Sequence, residues 1–293
     1  MDTETTTQND PRSIDAATDV GAVRLTVADV DRAQDFYERA IGLRAVERSG
    51  DVARLGAEPG RPLLELVGEP AAPPRPRRST GLFHLAVLVP SRPELARALR
   101  RGVQAGAAFS GASDHLVSEA LYLNDPEGNG IEIYRDRPRE EWPRVDGTIQ
   151  MSTEPLDLDG VLSELPDGED PGMPAGTRMG HVHLQVADLD RAESFYSGIL
   201  GFDVTVRGYP GALFVSAGGY HHHIGLNTWN SAGAPAPGAG SRGLRRFEVV
   251  LPDTDELAAV TGRIVAAGIA SEPTDGGVLV ADPSGNRVLL RVA

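Results

Sequence analysis

The 293-residue chain is long enough for its core to divide in two, and 40% apolar residues fit a globular protein. It has no cysteine, which excludes disulfides, thiolate catalysis and Cys-ligated zinc. Its net charge of −14 would repel a polyanion, so no nucleic acid is expected as a partner. With no apolar run long enough for a membrane span, no membrane partner is expected either, and the expected location is cytoplasmic.

Residues 1–18 read as a loosely held tail. The stretch Gly21–Leu43 then alternates through Val23, Leu25 and Val27, as a half-buried strand does. Asp31 is positioned to cap a helix whose apolar stripe includes Ala33, Phe36 and Tyr37, and Gly42 stops it. The same text returns 159 residues later as Gly180–Phe202, with Val182, Leu184 and Val186, then Asp190, Ala192, Phe195, Tyr196 and Gly201. Weaker copies open at Gly81–Pro90 and Gly243–Pro252. They close on matching turns, Asp125-Pro126-Glu127-Gly128-Asn129 and Asp282-Pro283-Ser284-Gly285-Asn286.

The expected architecture is α+β, with four βαβββ modules at about 20–68, 81–135, 179–229 and 243–292. The modules divide into an N-terminal domain (19–138) and a C-terminal domain (179–293), joined by an acidic bridge (139–178). Within the bridge, Leu156, Leu158, Val161, Leu162 and Leu165 read as a short docking helix. Ser231–Ser241 reads as a flexible Gly/Ala/Pro loop, with covering a site as the second reading.

Seven histidines fall inside this pattern: His84, His115, His181, His183, His221, His222 and His223. Strand parity sets His84 opposite Phe83, Leu85 and Val87, and sets His181 and His183 opposite Val182 and Leu184. Glu132 likewise points away from Ile131 and Ile133. Curled sheets would aim His84, Glu132 and His183 at one concavity, the two-imidazole, one-carboxylate set that suits Fe(II). Unpaired, three such groups would be costly to bury, whereas a divalent ion satisfies them.

The run His115, Leu121-Tyr122, Asp125-Pro126, Gly128 and Glu132 resembles the extradiol dioxygenase signature, with Ser113 as one departure. Over nearly its whole length the chain resembles the vicinal-oxygen-chelate superfamily (glyoxalase I, bleomycin-resistance proteins and extradiol dioxygenases), and within it the two-domain, Bacillus-type catechol 2,3-dioxygenase-like proteins. The resemblance implies two curled-sheet barrels of the vicinal-oxygen-chelate fold. In familiar two-domain extradiol enzymes the signature sits in the fourth module, but here that module has Arg246 and Leu289 at the ligand positions, and the first module has Arg24 where the third has His183. The inner modules, two and three, are therefore expected to share the site, within one chain or across a homodimer.

The activity implied is ring cleavage of a catechol-like diol, with a small aromatic substrate and dioxygen as partners. Fe(II) is the expected metal, with Mn(II), Ni(II) or Zn(II) as alternatives. His115 is the expected acid/base and Tyr122 the hydrogen-bond donor to substrate oxygen. His223 is the expected outer partner of the metal site, with His221 competing, and His222 should face outward. His221, Asn227 and Trp229 are candidate pocket residues. Arg24 and Glu65 would pair in a metal-free counterpart. A glyoxalase-type lyase or isomerase and a metal-free binding protein remain the other classes.

Overall fold

Each copy of the repeat folds as strand, helix and three strands, because period-2 alternation gives way to helical spacing at a capping position, Asp29, Asp188 and Asp253 in modules one, three and four and Ser91 in module two. The computed structural model describes residues 13–293. Module one contains β1 (Asp19–Val27), α1 (Val30–Phe36), β2 (Arg44–Ser49), β3 (Val52–Glu58) and β4 (Arg61–Gly68). Module two contains β5 (Gly81–Leu88), α2 (Arg92–Gln104), β6 (Phe109–Asp114), β7 (Ser118–Asn124) and β8 (Gly130–Asp136). The bridge carries β9 (Arg144–Val145), β10 (Thr148–Ile149), β11 (Glu154–Pro155) and α3 (Leu158–Ser163). Module three has β12 (Arg178–Gln185), α4 (Leu189–Tyr196), β13 (Asp203–Val206), β14 (Ala212–Ser216) and β15 (Ile224–Asn227). Module four has β16 (Gly243–Leu251), α5 (Thr254–Ala266), β17 (Ser271–Thr274), β18 (Gly277–Ala281) and β19 (Arg287–Val292).

The caps lie two residues earlier than the sequence suggested. Asp29 and Asp188 accept from the N–H groups of Arg32 and Arg191 at 3.0 and 2.9 Å, while Asp31 and Asp190 sit in the first turn, where acidic groups favour the helix dipole. Gly42 and Gly201 end the helical segments in left-handed conformation, at φ 92° and 95°, which glycine adopts without a Cβ penalty.

The sheets do not follow the two halves of the chain. One runs β17-β18-β19-β16-β1-β4-β3-β2 and joins modules four and one; the other runs β11-β6-β7-β8-β5-β12-β15-β14-β13 and joins modules two and three. The inner pairing therefore forms within a single chain, through antiparallel β5 and β12. Val23, Leu25, Leu85, Val87, Val182 and Leu184 turn their apolar parity into one buried cluster with Ala33, Ala192 and Phe195 from the helices. Each such Leu or Val contributes about 1.5–3 kcal/mol on burial. The opposite face of the inner sheet is left for the polar groups of the same strands.

Two identical clamps tie the halves together internally. Tyr37 of module one donates to Asp125 Oδ2 of module two at 3.0 Å, and Tyr196 of module three donates to Asp282 Oδ2 of module four at 3.0 Å. Each aspartate also accepts two backbone N–H bonds inside its own turn, so the Asp-Pro motif fixes a strand reversal and a contact between modules.

Most of the expected tail lies outside the described residues, but Ile14 is buried and its N–H donates to Gly201 O at 2.8 Å. The bridge docks on α2. Arg101 makes a two-point contact with Asp170 at 2.9 and 2.7 Å, and Arg92 reaches Glu119 and Gly160 O. In the bridge helix Val161 is buried, while Leu158 and Leu162 are exposed.

Candidate metal centre and pocket

Three neighbouring strands of the inner sheet, β8, β5 and β12, place Glu132, Ala86 and His181 in one transverse row. The methyl of Ala86 leaves room for the flanking side chains to converge above it. His84 joins them from two residues along β5, on the same face. Glu132 Oε2 lies 3.0 Å from His84 Nε2 and 3.1 Å from His181 Nε2, and the two imidazole nitrogens are 3.3 Å apart. All three residues are buried, and they form a cluster of metal-ligating side chains.

Sequence parity named His183 as the third member of this cluster, but the structure brings His181 to the carboxylate. Two β-bulges decide this. Gly180 is an extra residue on β12, and Phe83 is an extra residue on β5. Between the bulges His183 pairs directly with His84, on the side away from Glu132, and His181 pairs with Ala86. Gly180 is required there, since a Cβ on it would lie 1.9 Å from Tyr134 Oη. The bulge also turns Phe83 into the cavity, against its expected parity with Leu85.

The cavity beside the cluster measures about 290 Å³ and is lined by His84, Glu132, His115, Tyr122, His183 and a set of aromatic and bridge residues. His183 is buried, its Nε2 has no partner, and its ring lies 4.9 Å from that of His84. On the other side His115 and Tyr122 meet, with His115 Nε2 2.6 Å from Tyr122 Oη. His115 Nδ1 lies 2.7 Å from Ser152 O, and a carbonyl accepts only, so Nδ1 carries the proton. In neutral His115 the Nε2 lone pair therefore accepts from the Tyr122 hydroxyl. This role for Ser152 was hidden in the sequence because the bridge reads as a connection. Pairing of β11, at the edge of the sheet, with β6 sets it in place.

Asp114 holds the turn that presents His115. It accepts from Leu116 N–H at 2.8 Å, where Leu116 takes φ 68°, and it pairs with Arg137.

His221, His222 and His223 precede β15 in irregular backbone, so alternation does not govern them. His222, expected to face outward, lines the cavity, with its ring 4.1 Å from that of His181. His223 does not reach the cavity. Its Nδ1 accepts from Ala217 N–H at 3.1 Å, and its Nε2 lies 3.7 Å from Asp19. His221 bonds to Asp136 and His222, both at 2.8 Å. Asn227 is fully buried in β15 and does not line the cavity, whereas Trp229, 44% exposed, does. The Ser231–Ser241 loop packs against Thr80 through Pro235 O and contributes nothing to the cavity lining.

The outer sheet holds the degenerate counterpart. Arg24 pairs with Arg246 on neighbouring strands, as His183 does with His84, and Arg24 reaches Glu65 at 3.3 Å. Leu289 stands opposite Glu248, the position equivalent to Glu132, so this face has no comparable ligand set.

Burial alone would raise the Glu132 carboxyl, but the imidazoles of His181 and His84 hold it well below the usual carboxylate range. Burial pushes His181 down to about 4, against the pull of Glu132. Both directions leave an ionised carboxylate beside a neutral His181, the protonation state of metal ligands. Burial, followed by the charge of Glu132, raises the Tyr122 phenol well above its ordinary value and keeps it a donor.

The cluster fits a divalent ion. Two imidazole nitrogens aim at the same carboxylate oxygen, marking one point where positive charge would satisfy all three. Ligands held at right angles about 2.1 Å from an ion stand about 3.0 Å apart, close to the 3.0–3.3 Å separations seen here.

Comparison with known proteins agrees with this architecture. The family model described as the Glyoxalase/Bleomycin resistance protein/Dioxygenase superfamily matches residues 19–133 and 178–290. A catechol-2,3-dioxygenase of Bacillus subtilis (strain 168) is 46% identical over 275 residues, covering 92% of this chain and 96% of that protein. Among solved structures, a Bacillus subtilis candidate dioxygenase superposes with a TM-score of 0.67 at 13% identity, covering 96% of this chain and 86% of its own. Glyoxalase I of Zea mays gives 0.60 at 16% identity, with 94% and 92% covered. At these identities the two structures support the fold alone. Among the described residues no helix is long and apolar enough to cross a membrane.

Proposed function

The chain belongs to the glyoxalase/bleomycin resistance protein/dioxygenase superfamily, and on that premise we propose that it is a metal-dependent extradiol dioxygenase, opening the ring of a catechol-like diol with dioxygen. The observation that carries the reading is the convergence of His84, Glu132 and His181 beside a cavity that also contains the His115 imidazole hydrogen-bonded to the Tyr122 phenol. The 46% identical catechol-2,3-dioxygenase supports the same reaction class.

His84, Glu132 and His181 would hold the metal, and two imidazoles with one carboxylate suit Fe(II). Bound there, the ion supplies positions for the diol oxygens and dioxygen and a path for electrons between them. The remaining work falls to the protein. Tyr122, paired with Glu132 across β7 and β8, stands between the cluster and His115. A diol proton taken up by the Tyr122 oxygen, as the Tyr122 proton moves to His115 Nε2, leaves the substrate anionic and electron-rich, with the positive charge on the His115 imidazolium. Ser152 O holds His115 in the tautomer that can accept, and the same imidazole returns the proton when the ring opens. Phe83, Phe214 and Trp229 confine the ring and limit water near the reacting oxygens.

The test is oxygen uptake by protein loaded anaerobically with Fe(II) and mixed with catechol. Stoichiometric uptake with a coloured ring-opened product is expected. Metal binding without oxygen uptake would overturn the dioxygenase reading.

A further inference from the structure

We propose that this cavity takes an uncharged, single-ring aromatic diol and rejects diols whose ring carries a carboxylate. The inference rests on the ring-cleavage reading above and narrows its substrate class. No arginine lines the cavity among the described residues, and the sequence contains no lysine. A carboxylate on the substrate would therefore enter without a fixed cation to receive it, and an unpaired buried charge is strongly disfavoured.

The imidazoles do not fill that role. His84 faces Glu132, and both nitrogens of His115 are engaged by Ser152 O and Tyr122. His222 Nδ1 is held by His221 at 2.8 Å. His183 is enclosed by the rings of Phe83, His84 and Phe214.

The wall facing the cluster is apolar. Around His183, the rings of Phe83, Trp229 and Phe214 lie at centroid distances of 5.1, 5.5 and 5.7 Å. Hydrogen, alkyl or other neutral groups suit this surface. At about 290 Å³ the space is at the small end for ligand sites, enough for one ring with short substituents. The mouth is narrowed by the Thr153–Tyr209 hydroxyl contact at 2.9 Å and by Trp229, whose indole N–H donates to Pro210 O.

The experiment compares 4-methylcatechol with 3,4-dihydroxybenzoate, two diols of similar size and different charge, by anaerobic calorimetric titration of the Fe(II)-loaded protein at neutral pH. The methyl compound should bind about 100-fold more tightly or better. His183→Arg should shift that ratio toward the acid by about tenfold or more, and Trp229→Arg at the exposed mouth gives the same test where the buried change does not fold. Equal binding of the two diols to the unmodified protein would overturn the inference and leave the ring-cleavage reading standing. Failure of both diols to bind would overturn the two together.

Discussion

His181 Nε2 lies 3.1 Å from Glu132 Oε2, although a whole strand separates the two residues in the sheet. The side chains bridge that gap because the intervening position is Ala86, which fills the row with only a methyl. Register is therefore as important to this centre as residue type.

Gly180 is where the register is set. Gly180→Ala places a methyl against Tyr134 Oη and must displace β12 or the tyrosine. The expected outcome is a folded protein, about 1–3 kcal/mol less stable, whose Fe(II) affinity falls at least about tenfold. Tyr134→Phe in the same protein should recover part of that affinity. An unchanged metal affinity in Gly180→Ala would show that the bulge does not position His181.

Proton handling is assigned to His115 with Tyr122. His115→Ala should lower kcat by about 10²–10⁴-fold, and Tyr122→Phe by about 10–100-fold, both with metal content unchanged. Steady-state oxygen uptake alongside metal analysis checks this. Loss of metal from either variant would place these residues in the ligand set instead.

The clamps predict a stability effect remote from the chemistry. Tyr37→Phe removes the donor to Asp125 in a buried setting, and should cost about 1–2 kcal/mol. Tyr196→Phe should cost the same at Asp282. The two sites share no partner, so urea unfolding of the double variant should give close to the sum.

Acid should destabilise the metal-free protein earlier than carboxylate titration alone would. Burial lowers His223 from 6.5 to about 3 and His181 to about 4. Between those values and about 6.5 the unfolded chain binds protons that the folded chain does not, so stability is full above about pH 6.5 and falls as pH drops toward 4. His223→Gln should flatten that slope in a series of urea midpoints, and an unaltered slope would contradict the assignment.

Much of this was legible in the sequence. The repeat disclosed the modules, because a strand parity followed by a capped helix is a local pattern. The distribution of ligand-type residues disclosed that modules two and three share a face, since Arg24, Arg246 and Leu289 could not supply a metal site. That His181 lies against Glu132 and His183 does not was not legible. Both have the right parity, and the decision rests on bulges at Gly180 and Phe83 that arise only when β5 and β12 pair. His222 lines the cavity and His223 does not, against the parity expected of them, because their run is not a strand, and Ser152 was invisible because a backbone carbonyl has no sequence signature.

The central claim is the ligand set, and its most direct test is the iron content of His181→Ala and His183→Ala proteins after anaerobic loading and removal of free Fe(II). His181→Ala should retain almost none, while His183→Ala should retain close to one ion per chain. Iron lost from His183→Ala and kept by His181→Ala would contradict the account.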